Sequence, residues 1–174
     1  MMKPELTDKE RAKNGKMPVI LYLVEVMLAY NLSTNLFAYS SLAVSFNLST
    51  PELAARYIFI LISSMISAEM SIRSMINMSS AQKKSWRLVC RTMLIQIAFI
   101  MVNEFVLRFS FIRTILPTEL PIAGLCLVSL LIMFLPKIRR YYTPPLVEMP
   151  DIKHWTLYIF SIRNDKRYRY AFEY

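Results

Sequence analysis

The sequence predicts an all-α integral membrane protein, a four-helix bundle with both termini on the cytoplasmic side, or on the matrix side in a mitochondrion. Three observations carry that prediction. Of the 174 residues, 55% are hydrophobic, and only Gly15 and Gly124 are glycine. The apolar residues gather in four long stretches, and a spanning helix needs about 20 of them. The basic residues gather just outside those stretches, nearly all on one side. The chain thus divides into a polar N-terminal arm (1–16), a membrane domain (17–136) and a basic, aromatic tail (137–174).

The first apolar stretch runs from Met17 to Phe46. It exceeds a signal-peptide core, and no small-residue cleavage site follows, so it reads as an uncleaved signal anchor over about 18–40. Further spans are expected at about 53–75, 87–112 and 119–135. "STPELA" (49–54) offers a cap, an early proline and a carboxylate to the second helix, and "LPTELP" (116–121) does the same for the fourth. Pro136 ends the fourth span, and "KIRRYY" is expected to anchor it at the headgroups.

Lysine and arginine set the orientation. The arm, the loop between spans two and three with its flanks, and the tail hold eighteen of them. Only Arg56, Arg108 and Arg113 fall on the opposite side. The positive-inside tendency places both termini inside, as an even number of spans requires. A net charge of +9 distributed in this way favours lipid headgroups over nucleic acid, because no folded basic stripe is formed.

Ionisable residues inside a span cost about 2.5–3.5 kcal/mol each on insertion scales and usually face protein or a cavity. Glu25, Glu69 and Glu104 are such residues. Glu69 precedes Arg73, and Glu104 precedes Arg108, each by four positions. That spacing puts each pair on one helix face in the favourable order. Glu25 lacks such a partner and is the carboxylate whose titration most merits testing.

Two polar stripes accompany the charges. Ser63, Ser67, Ser71 and Ser74 share a face of span two, roughly opposite Glu69 and Arg73. Gln96, Asn103 and Ser110 recur every seven residues on span three, with Thr92 near the same line. Small residues let helices approach closely, and hydroxyls bond across the contact, so helix packing is the plain reading. A helix polar on one side and charged on the other leaves little surface for lipid, which points to neighbouring membrane subunits as partners. Asn31 and Asn35 are expected to bond to a neighbouring helix, and the sequon at Asn47 hugs the membrane.

The chemistry expected of this chain alone is small. It has one histidine, His154, and two cysteines, Cys90 and Cys126, so no metal or cofactor site and no catalytic constellation is expected. In the tail, "HWTLYIFSIR" (154–163) is apolar but too short to span, and should lie in the interface or dock on a partner.

From Thr50 to Arg140 the layout resembles the C-type membrane component of the copper membrane monooxygenases, the ammonia and methane oxidisers, especially the archaeal ammonia monooxygenase form. The likeness rests on "TPEL" opening a helix, a polar loop, "VNEF" (102–105) followed by aromatics, a proline and a last helix ending in arginines. That family places copper-binding histidines after its acidic motif. Here Leu107 stands where the first would fall, and no histidine follows before His154. The resemblance therefore implies a non-catalytic sister or auxiliary subunit. The expected function is an accessory, structural subunit of a multi-subunit membrane complex in a cell membrane or organelle inner membrane. The alternative is a small transporter or ion-conducting protein using Glu25 and Glu104.

Overall fold

The computed structural model describes residues 17–45, 51–107, 120–143 and 148–161. The described residues are predominantly helical and contain no strand. α1 is Val19–Ser45, α2 is Pro51–Met78 and α3 is Lys83–Met101, which runs into a π-helical turn at Val102–Leu107. α4 is Leu120–Met133, α5 is Pro136–Tyr141 and α6 is Ile152–Phe160. The expected caps at Ser49, Thr50, Thr118 and Glu119 lie outside the described residues, as do the arm 1–16 and the sequon at Asn47.

Three of these helices carry windows long and apolar enough to cross a membrane: Val19–Phe37, Tyr57–Met78 and Lys83–Phe105. Within the described residues α4 is apolar and 14 residues long, about 21 Å at 1.5 Å per residue, against a hydrocarbon core of about 30 Å.

Connectivity makes neighbours antiparallel. α1 packs on α2, α2 on α3, and α4 closes against both α3 and α1. The α2–α3 turn is tight. Ser80 N–H and its Oγ both donate to Asn77 O, at 3.1 and 2.8 Å. Ala81 then adopts φ +52°, a left-handed conformation that its Cβ disfavours by about 1–2 kcal/mol.

The apolar core lies at the end of the bundle that holds this turn. Leu21, Val24 and Leu28 of α1 meet Met78, Trp86, Val89, Cys90 and Met133. α5 and α6 plug the same end. Trp86 is fully buried, and its Nε1 donates to Met133 O at 2.7 Å. Its ring lies edge-on to Phe134 and Trp155, at 5.3 and 4.5 Å between centroids. Tyr142 Oη and Tyr141 Oη donate to Met78 O and Ser79 O, at 2.9 and 3.0 Å, satisfying carbonyls that the end of α2 leaves open.

Part of "KIRRYY" turns inward, while Lys137 and Arg140 stay exposed. Ile138, Arg139, Tyr141 and Tyr142 are buried. Arg139 Nε donates to Phe134 O at 3.0 Å, and its Nη1 to Pro150 O at 3.2 Å. The reason is geometric. Pro136 stands in the first turn of a new helix, so the chain folds back under the bundle.

Candidate functional site

The polar residues of α2 and α3 face each other and form a seam through the bundle. Beginning at the plugged end, Ser80 Oγ meets Ser85 Oγ at 2.6 Å. Two turns on, Ser74 Oγ meets Thr92 Oγ1 at 2.7 Å, with both residues fully buried. One turn further, Gln96 Nε2 donates to Ser71 Oγ at 2.8 Å. Spacings of three and four residues along each helix keep these groups in register across the contact.

At Gln96 the seam widens to four helices. Asn31 Nδ2 of α1 donates to Gln96 Oε1, and also lies 3.4 Å from Cys126 Sγ of α4. Cys126 Sγ is 3.5 Å from the same Gln96 oxygen. Asn35 Nδ2 donates to Asn31 O at 2.7 Å and to Asn31 Oδ1 at 3.0 Å. Asn31 thus bonds to a neighbouring helix, whereas Asn35 bonds to Asn31 on its own.

Beyond this junction the helices part around a pocket of about 30 Å³, room for about two water molecules. Its polar lining is Asn31, Asn35, Ser63, Ser64, Ser67, Gln96 and Asn103, and Phe99, Ile60 and Ile100 complete it. Ser64 falls outside the stripes legible in the sequence, although it is only 4% exposed. Ser63 is half-buried, and its Oγ donates back to Ile60 O at 3.1 Å. The lining carries amide and hydroxyl groups and no ionisable side chain. It can hold water or a small neutral polar molecule by hydrogen bonds.

The carboxylates do not converge on this pocket. Glu104 is buried, at 6% exposure, in the π-helical turn beside Asn103, also at 6%. A π turn accommodates an extra residue in the helix and recurs at functional sites. Here it lets two consecutive polar residues both turn inward, which no pattern in "VNEF" announces. Arg108, the expected partner of Glu104, lies outside the described residues, as does Ser110. Glu25 is half-buried on α1.

Glu69 and Arg73 form their expected pair, Arg73 Nη2 to Glu69 Oε1 at 2.5 Å. Their side chains are 62% and 67% exposed. They stand on an outer face with Ile62, Met65, Ile66, Ile72 and Ile76.

Among the described residues no three His, Cys, Asp or Glu side chains come together as a metal site. Comparison with protein-family models, with curated proteins and with solved structures gave no match.

Proposed function

We propose that this chain is a four-span integral subunit of a larger membrane complex, with both termini on the cytoplasmic or matrix side and no chemistry of its own. The observation that carries the reading is the Glu69–Arg73 pair. The serine face of α2 is turned into the chain, with Ser71 and Ser74 bonded to α3, so α2 needs no partner there. Its opposite face bears an exposed ion pair about two turns from the end of the helix. Hydrocarbon is a poor medium for that pair, and intramembrane charges usually face protein or a cavity. A neighbouring subunit would cover it. The complex that the Thr50–Arg140 resemblance implies is of the copper monooxygenase type, with copper bound by another chain.

The test is extraction from its native membrane in mild detergent, followed by native mass spectrometry. An assembly of unlike subunits is expected. Recovery of a stable monomer at full yield would overturn the reading.

A second reading, a small conducting or transporting protein, draws on the hydrogen-bonding pocket between Asn31, Ser67 and Asn103. Here flux across reconstituted vesicles should fall on Gln96→Leu, and on Glu25→Gln or Glu104→Gln if the carboxylates carry protons. Flux indifferent to all three substitutions would end it.

A further inference from the structure

The plugged end of the bundle holds a second cluster, which the proposed function does not use. Lys83, Arg87 and Arg91 recur at four-residue spacing on one face of α3, and α6 lies along that face. Arg91 donates from Nε to Ile159 O and from Nη2 to Ser161 O, both at 2.8 Å. Lys83 Nζ lies 2.8 Å from His154 Nε2. The Tyr158 ring receives both Lys83 Nζ, at 4.3 Å from its centroid, and the Arg87 guanidinium, at 4.6 Å. Arg87 acts as a like charge on each of its two basic neighbours. Its Nη1 is buried and makes no hydrogen bond, and the buried Nε1 of Trp155 in α6 makes none either.

A buried guanidinium nitrogen without an acceptor is costly, so an arrangement like this one calls for an anion. Arg91 is met by two backbone carbonyls and the Arg87 guanidinium by the Tyr158 π face. Arginine's planar fork matches a phosphoryl group better than any other common anion but carboxylate. The cluster sits at the start of α3, where the basic residues mark a membrane surface. α6 presents Ile152, Leu157 and Phe160 outward beside it, the amphipathic form of a helix lying at the headgroup level.

We infer that Arg87, backed by Tyr158 and flanked by Lys83, binds the phosphoryl group of an acidic phospholipid, with the outer edge of α6 resting against its acyl chains. This rests on the reading that the chain spans a membrane, though not on its having partner subunits. The test uses the full chain, delipidated and then incubated with phosphatidylglycerol, phosphatidylcholine or inorganic phosphate, with bound adducts read by native mass spectrometry. Phosphatidylglycerol should be retained in preference to phosphatidylcholine, and Arg87→Gln should weaken that retention about tenfold. Arg87→Lys keeps the charge without the fork and should fall between, guarding against a folding defect. Lys153→Gln, an exposed change on α6, should leave retention unchanged. Equal retention of the two lipids, or indifference to Arg87→Gln while the protein stays in the membrane fraction, overturns the site but not the membrane reading. Displacement by millimolar inorganic phosphate without lipid selectivity overturns the lipid in favour of a soluble phosphate.

Discussion

Gln96 on α3 and Asn31 on α1 are bonded side chain to side chain in the buried centre of the bundle, while the other end of the Gln96 amide donates to Ser71 on α2. One side chain therefore ties three helices together, and Cys126 brings in the fourth. In such a place a polar group is inexpensive only while every partner remains.

Replacing Gln96 by leucine deprives Asn31 and Ser71 of its amide, at a cost of about 1–3 kcal/mol. The double change Gln96→Leu with Asn31→Leu should recover part of that loss, since both ends of the bond are then apolar. Unfolding in mixed micelles, arranged as a double-mutant cycle, measures the coupling. Interhelical hydrogen bonds in membranes average about 0.6 kcal/mol in such cycles. A coupling near zero would mean that the seam is incidental to stability.

Trp86 provides the strongest single test of the plug. It is fully buried, touches Phe134 and Trp155, and donates to Met133 O. Trp86→Ala should cost about 3–5 kcal/mol by cavity formation. Trp86→Phe keeps most of the ring contact and loses the hydrogen bond, about 1 kcal/mol. Thermal midpoints in detergent should rank wild type above Trp86→Phe above Trp86→Ala.

The polar seam is partly legible in the sequence, because three- and four-residue spacing fixes a helix face without knowledge of the fold. Ser67, Ser71, Gln96 and Asn103 can be placed on stripes for that reason. Which stripe meets which cannot be read, since Asn31 and Gln96 are 65 positions apart. Local patterning starts the third helix at residue 87, because Lys83 and Lys84 look like loop. It begins at Lys83, which is buried beside His154, 71 residues away. A tail that folds back is invisible to any local rule. The π turn at Val102–Leu107 has no sequence signature at all.

His154 makes docking of α6 sensitive to acid. Burial lowers its pKa below the usual 6.5, and the nearby Lys83 lowers it further, against a smaller opposing pull from Asp151. An undocked His154 takes up its proton near pH 6.5, whereas the docked one resists until lower pH. The docked state is thus favoured above pH 6.5 and loses stability as pH falls through 6.5 toward the lowered value. In a Trp86→Phe background, acrylamide quenching of Trp155 should rise over that window. His154→Gln should flatten the response, and an unchanged profile in that variant would assign the acid sensitivity elsewhere.

Glu69 and Arg73 separate the two environments that α2 could meet. Their side chains face outward from the isolated chain, among exposed isoleucines. If a neighbouring polypeptide covers them, Glu69→Leu with Arg73→Leu removes a polar recognition element while leaving every internal contact intact. The chain should then keep its melting temperature in detergent but co-purify with less of its partner, by about tenfold where a buried charge pair is lost. If lipid covers them, the same double change removes two charges from hydrocarbon. The chain alone should then insert or refold more readily, and co-purification should not move. Each single change, Glu69→Leu or Arg73→Leu, strands one charge and should be worse than the double under either condition. Quantifying co-eluting protein alongside the melting curve distinguishes the two, because the partner reading moves the first quantity and the lipid reading the second.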